Sequence, residues 1–320
     1  MGQPTPSDVH IDRPLTTIAV AYAQTTDNFV STQAFPIVPV DKQSDKYFIY
    51  NKNDWFRDEA QVRPPATESA GSGYNVSTDN YYCDVWALHK DVDDQLLNNA
   101  DAPISPLSDA AKFVTQRLLL RREIQWASDY FKTGVWGNSV TPSSLWSDYT
   151  ASDPVGDVDT GKQTVLLNTG FRPNTLVLGY PVWTKLRNHP DIIARVGGGA
   201  TTDRPATVTK QQVAAILEID RLIVAESVYA TNKEGETAAM SFIHGKHALL
   251  VYAASSPSLL APSAGYNFVW RGVSYGMGQD IGVKQIPMPT LNATRVEGQV
   301  AFDNKVVATD LGYFLESVVA

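Results

Sequence analysis

Asp159-Thr160-Gly161 is the triplet that aspartic proteases carry, and its chemistry needs two carboxylates sharing one proton. One triplet would work only across a dimer, and an apolar strand should precede it. Here Asp153, Asp157 and Lys162 surround the triplet, and its expected place is the start of a helix. His244 and His247 stand three apart, a spacing at which two imidazoles on a helix share a metal ion. Gly245 between them disfavours helix, and no further ligand type is close by, so a partly exposed turn is the expectation. Gly276-Met277-Gly278 with Gly282 is a broken dinucleotide loop, without the G-x-G-x-x-G spacing or the strand and helix that flank a true one. Gly197-Gly198-Gly199 lacks the Gly-Lys-Ser/Thr of a phosphate loop and reads as a surface loop. No Gly-x-Ser-x-Gly occurs, Cys83 has only His89 near it, and the carboxylates are too scattered to name an acid–base pair. This inventory predicts no catalytic residue, no metal, no cofactor and a chain that is not an enzyme.

The elements around these residues follow a clear order. Residues 1–46 read as an extended arm, because Pro4, Pro6, Pro14, Pro36 and Pro39 break helices. Its apolar stretches, Ile18-Ala19-Val20 and Phe35-Pro36-Ile37-Val38, need another surface, in this subunit or a neighbour. Two aromatic, β-branched runs, 46–50 and 81–88, read as strands. The polar stretch between them holds Arg57-Asp58-Glu59, Arg63-Pro64-Pro65 and Gly71-Ser72-Gly73, and is too long for an ordinary loop. Residues 47–90 are therefore expected to form a long hairpin extending from the body.

A helix of about 40 Å is predicted over 106–133. Ser105 caps it, Pro106 takes its first position and Gly134 stops it. Phe113, Arg117, Leu120, Ile124, Ala127 and Phe131 form its expected face, widened by Val114, Leu118 and Tyr130. Arg117, Arg121, Arg122 and Glu123 make a charge run along it. An ordered loop pinned by Trp136 and Trp146 follows. Residues from about 157 to 253 then alternate helix (157–169, 181–188, 210–217) and strand (175–178, 221–224, 247–252), with a capping box at Thr209 and Gln212. From 265 to 320 strands dominate, with Val269-Trp270-Arg271, Ile281-Gly282-Val283, Thr294-Arg295-Val296 and Lys305-Val306-Val307 as separate candidates.

The composition excludes several classes. A hydrophobic fraction of 43% and a charged fraction of 19% over 320 residues describe a folded chain with room for one large or two modest cores. A net charge of −8 argues against a protein whose main task is gripping phosphate backbones. The single cysteine rules out an intramolecular disulfide and reads as a buried small apolar residue in a strand. The N-terminal Met-Gly-Gln-Pro-Thr-Pro lacks a secretory pattern, Pro6 stands where a myristoylation signal wants Ser or Thr, and no apolar run is long enough to span a bilayer.

Three stretches in the middle of the chain resemble major capsid proteins of tailed bacteriophages. The first is Arg121-Arg122-Glu123 with Ala127, Tyr130-Phe131, Gly134 and Trp136, then Trp146-Ser147-Asp148 and Ser152-Asp153-Pro154. The second is Thr169-Gly170-Phe171-Arg172-Pro173-Asn174-Thr175-Leu176-Val177-Leu178-Gly179, with Leu186 and His189-Pro190 after it. The third is Pro257-Ser258-Leu259 and Pro262-Ser263-Ala264-Gly265-Tyr266, followed by Phe268 and Trp270. The likeness covers 121–271 well and the ends loosely.

The resemblance implies an α+β chain of the Hong Kong 97-type capsid fold. Its parts would be an N-terminal arm (1–46), an E-loop hairpin (47–90), a P-domain with the spine helix (91–156), an α/β A-domain (157–264) and strands returning to the P-domain (265–320). It implies self-assembly into hexamers and pentamers of an icosahedral head around double-stranded DNA, held without sequence-specific contacts, and no membrane partner. Such a virion capsid would assemble in the host cytoplasm, with scaffolding, portal and decoration proteins as further partners. Because Met1 leads straight into the proline-rich arm, scaffolding is expected to be a separate protein or absent. The expected contacts between subunits are Ile49, Trp55, Phe56, Arg57, Asp58, Glu59 and Arg63 of the hairpin, and Arg117, Arg121 and Arg122 of the helix, whose charges would meet a neighbour's Asp58 and Glu59. Some relatives form Lys–Asn isopeptide links; Lys52 and Asn292 are the positions to pair here, without a motif behind them. Two alternatives remain open: an encapsulin-type shell that holds enzyme cargo, and a soluble α/β enzyme.

Overall fold

A computed structural model describes residues 24–100, 104–197, 208–257, 262–273 and 281–320. Residues 1–23 of the proline-rich arm, with Ile18-Ala19-Val20, and the glycines at 198, 199, 276 and 278 lie outside the described residues. Its strands are β1 (Ile37–Val40), β2 (Ser44–Tyr50), β3 (Val76–Tyr82), β4 (Asp84–Asp93), β5 (Asn138–Val140), β6 (Thr175–Gly179), β7 (Arg221–Ala225), β8 (Val228–Ala230), β9 (Met240–Phe242), β10 (Ala248–Val251), β11 (Gly265–Trp270), β12 (Ile281–Met288), β13 (Ala293–Val306) and β14 (Gly312–Leu315). Its helices are α1 (Lys52–Trp55), α2 (Asp94–Asn99), α3 (Pro106–Tyr130), α4 (Pro154–Thr169), α5 (Tyr180–Leu186), α6 (Pro190–Gly197) and α7 (Lys210–Ile216).

The long helix α3 has 25 residues. Pro106 opens it as expected, but the Ser105 side chain makes no capping bond; its carbonyl accepts the Asp109 N–H at 2.9 Å instead. The helix ends at Tyr130, and Gly134, at φ +82°, serves the turn beyond. The buried line is Ala110, Val114, Leu118, Arg122, Trp126 and Tyr130, stepping by four, with Glu123 beside it. The expected face is therefore rotated. Two charged residues occupy core positions, so hydrophobicity alone points to the neighbouring line. Phe113, 42% exposed, is covered by cations instead: the Lys90 ammonium and the Arg117 guanidinium lie 5.4 and 5.1 Å from its ring centre.

The N-terminal half of α3 lies on a five-stranded sheet organised by β13. One edge of β13 carries β4 along 293–302. The opposite edge is shared by β12 (along 293–300) and β11 (along 302–306), and β1 runs parallel to β11. The runs at 294–296 and 305–307, expected as separate strands, are the two ends of this one strand of 14 residues. Gly298 is what lets the helix approach. A Cβ there would stand 2.5 Å from Val114 Cγ1 and 2.9 Å from Leu118 Cδ1.

The C-terminal half of α3 enters a second core. That core is built on the mixed sheet β5-β14-β10-β6-β7, whose strands β6, β10 and β14 are wholly buried. Trp126, Tyr130, Trp136 and Trp146 pack there with Val30, Phe35 and the inner faces of α4, α5 and α7. Trp136 and Trp146 do pin the loop after α3: their indole N–H groups donate to Tyr130 O at 2.7 Å and to Asp157 Oδ2 at 2.8 Å. The strands after 265 divide between the two sheets: β11, β12 and β13 lie in the first, and β14 joins the second between β10 and β5. One helix anchored in two cores fixes the orientation of both, which is the mechanical requirement for a rigid building block.

The described end of the arm docks on its own subunit. Phe29, Val30 and Phe35 are buried, and β1 closes an edge of the first sheet.

Candidate assembly surface

The sites that sequence reading raised as chemistry resolve into structure. Asp159 sits inside α4 and its carboxylate binds Lys162 at 2.6 Å. Gly161 next to it faces Tyr313 and Leu250, where a Cβ would lie 2.9 Å from the Tyr313 ring. His244 is 2% exposed, not in a partly open turn, and its ring packs on Trp126 (5.4 Å) and Phe131 (5.1 Å). Among the described residues no group of three metal-ligating side chains occurs.

Glu123, invisible in the sequence as more than part of a charge run, is a buried hub. Its two carboxylate oxygens accept the N–H groups of Val30 (2.9 Å) and Ser31 (2.8 Å), and Oε1 also takes the Ser227 hydroxyl at 3.2 Å. His244 Nε2 lies 3.4 Å away. One carboxylate thus joins the arm, the spine helix, the loop after β7 and the turn before β10.

A second cluster, also missed in sequence, places Ser152 Oγ 3.0 Å from His189 Nε2 and Asp191 Oδ2 3.6 Å from His189 Nδ1. These are the residue types of a hydrolase triad, but the hydrogen bonds run the other way. The Ser152 hydroxyl donates to Asp148 O at 2.6 Å, and His189 Nδ1 accepts the Asp191 N–H at 3.3 Å. Nε2 must then carry the proton and donate to the serine, so it is no base for a nucleophile. The cluster is a clamp between the loop before α4 and the start of α6.

Burial pushes His189, His244 and His247 below the ordinary histidine range. The unfolded chain therefore binds more protons once the pH drops below about 6.5, and stability falls with acid. Burial raises Asp129, Asp157 and Asp303, which works in the opposite sense nearer the carboxylate range. The melting temperature should accordingly drop between pH 7 and pH 5.5; a thermal scan in which it holds or rises over that interval would contradict these assignments. Cys83 is buried between β3 and β4, its thiol pushed up to about 12 chiefly by burial. It should resist a thiol-exchange reagent at pH 8 in the native protein and react stoichiometrically after denaturation.

Among the described residues the hairpin is the most exposed aromatic part of the chain, with Phe48, Trp55, Phe56 and Tyr74 all 56–62% exposed. β2 pairs antiparallel with β3, from Ser44↔Tyr82 to Tyr50↔Val76. The expected partner run, 81–88, instead mostly forms β4 of the first sheet. β3 reads Val-Ser-Thr-Asp-Asn-Tyr-Tyr and was hidden by its polarity: its burial is confined to Tyr81. The Asp54 carboxylate closes the loop by accepting Asn75 N (2.9 Å) and Nδ2 (3.2 Å), and Tyr50, Trp55 and Tyr74 cluster at centroid distances of 5.8–6.1 Å. Beyond this clasp residues 57–73 are exposed.

The hairpin does not stand wholly clear of the body. Lys52 pairs with Asp310, and Phe56 lies against Gly170. Between hairpin and body an apolar cleft of about 750 Å³ stays open, lined by Phe48, Ile49, Trp55 and Phe56 on one side and by Phe171 and Leu311 among others on the body. Lys52 is thus engaged away from Asn292, which sits in the turn joining β12 to β13.

Of the expected contacts, Trp55 and Phe56 are 56% and 62% exposed, Ile49 is half-buried on the cleft, and Arg57, Asp58, Glu59 and Arg63 are exposed. Arg57 makes its ion pairs within its own loop, with Asp54 at 3.7 Å and Glu59 at 3.8 Å. Arg117 is exposed on α3. Arg121 stacks over Trp86, 4.0 Å from the ring centre. Arg122 departs from expectation: it is 1% exposed inside its own subunit and packs over Phe302, so a neighbour does not reach it.

A spine helix across two cores, with an aromatic hairpin outside both, is the Hong Kong 97-type capsid architecture. A phage-related protein from Bordetella bronchiseptica RB50 shares the fold at a TM-score of 0.69 and 21% identity, covering 92% of this chain and 93% of that one. The capsid of cyanophage P-SCSP1u matches at 0.60 with 11% identity over 97% and 93%. An encapsulin from Synechococcus elongatus matches at 0.56 with 10% identity over 96% and 95%. These likenesses define the fold of the chain. In sequence, the major capsid protein of Pseudomonas phage JBD67 is 28% identical over 325 residues, 97% of each chain, and that of Burkholderia phage BcepMu is 25% identical over 82% of this chain and 84% of its own. No family model matches. The chain is a homologue of phage major capsid proteins along nearly its whole length.

Proposed function

We propose that this chain is the main subunit of an icosahedral phage head, assembled from hexamers and pentamers in the host cytoplasm around double-stranded DNA. Its role is structural rather than catalytic. The observation that supports this most is the hairpin: an ordered aromatic clasp with 57–73 exposed beyond it, on a body whose two cores are locked together by α3. Exposed aromatics of this kind are costly on a free surface and useful between subunits. The hairpin of one copy, through Trp55, Phe56 and Arg63, would lie across the next. Such head-to-tail contacts close into rings and curved shells. Arg117 and Arg121 are the helix positions proposed to face a neighbour. The division into arm, E-loop, P-domain and A-domain is proposed on the same basis, as are scaffolding, portal and decoration proteins as partners.

The net charge of −8 suits a wall that encloses DNA without gripping it. Particles purified from the phage-producing host and treated with nuclease should retain double-stranded DNA. An enzyme co-purifying in place of DNA would favour the encapsulin reading. That reading has a shared fold behind it, whereas the relatives that share sequence are phage major capsid proteins.

A further inference from the structure

The root of the hairpin is fixed to the body, with Tyr47 and Tyr81 stacked on Phe268 and the Tyr82 N–H donating to Asp303, and beyond the root two more contacts hold it. Lys52 forms an ion pair with Asp310 in the 3-10 turn Thr309–Leu311. Phe56 packs on Gly170, the C-cap of α4, with ring carbons 3.2 Å from where a Cβ would stand. Gly170 has φ +72°, so the chain reverses there without a side chain and leaves the ring a flat seat.

Between the root and these two contacts the strands add little grip. β2 and β3 form a separate two-stranded sheet, which is marginal by itself. The walls of the cleft, Phe48 and Trp55 on one side and Phe171, Pro262 and Leu311 on the other, are apolar yet stand apart. The hairpin is therefore fixed at its root and touched again at Lys52 and Phe56, with the cleft open between. The ion pair is half exposed and correspondingly weak.

We propose that Lys52 and Phe56 form a latch that holds the hairpin on its own body in the free subunit, and that release of this latch precedes engagement of a neighbour. This rests on the shell-building reading above and adds a step that regulates it. A weak latch limits premature association while remaining releasable by the contacts that replace it.

The test uses the full-length chain with spin labels at Ser72→Cys and Leu167→Cys, both exposed positions, Cys83 being buried. Below the assembly concentration the label distance should be narrowly distributed. It should broaden in Lys52→Glu and narrow again in Lys52→Glu with Asp310→Lys. Without labels, Lys52→Glu should shorten the light-scattering lag of assembly by roughly two- to fivefold, the ratio that one exposed ion pair supports, and the double reversal should restore it. A distance distribution indifferent to Lys52→Glu overturns the latch. Broadening with an unchanged or longer lag overturns the release step. A parent chain that builds no shell overturns the shell-building reading, and the release step with it.

Discussion

Glu123→Ala should cost the subunit about 3–5 kcal/mol, the range for breaking a buried, hydrogen-bonded charge. The carboxylate is fully buried and satisfies the N–H groups of Val30 and Ser31 together with the Ser227 hydroxyl. Alanine would orphan all three at once in a place water does not reach, and each orphan alone costs about 1–3 kcal/mol. His244, 3.4 Å away, would lose the one carboxylate that favours its protonated form. For a chain of this size the loss corresponds to a fall in melting temperature on the order of 10 °C. Glu123→Gln keeps one acceptor and should cost less, about 1–3 kcal/mol. Denaturant unfolding of the two variants decides the point; an alanine cost below about 1 kcal/mol would mean that the carboxylate does not hold arm, helix and α/β region together.

The second large effect is expected in assembly with little change in folding. Trp55 is 56% exposed and Arg63 is exposed, so Trp55→Ser with Arg63→Ala removes no core. The melting temperature should stay within about 2 °C of the parent, as for surface substitutions generally. Tryptophan and arginine are the residues most often found to dominate association energy, at about 2 kcal/mol or more each. The concentration needed for assembly should therefore rise at least about tenfold, read by sedimentation. Parent-like assembly by this variant would place the subunit contacts elsewhere than on the hairpin.

Much of the fold was legible wherever local rules and burial agree. The capping box at Thr209 and Gln212 is formed, Thr175–Gly179 is a buried strand, and Pro106 opens the long helix. Legibility failed where polar residues do structural work. The buried line of α3 was misplaced because Arg122 and Glu123 occupy it. β3 was missed because a strand with two exposed faces carries no alternation to read. α6 went unread although Pro190 at its start marks a helix opening as readily as a break. The Glu123 hub and the Ser152–His189 clamp join residues far apart in sequence, across 93 and 37 positions, and no local pattern carries that information. The hairpin was legible as an excursion from its length and composition, but its seat on Gly170 and Asp310 was not, since each contact is a single residue from a distant element.

That this chain closes into shells through its hairpin is tested by electron microscopy of the purified full-length protein. Closed particles built of rings, with hairpin density crossing from each subunit onto the next, are the predicted result. A uniform monomer or dimer at every concentration, with the hairpin on its own body throughout, would contradict it.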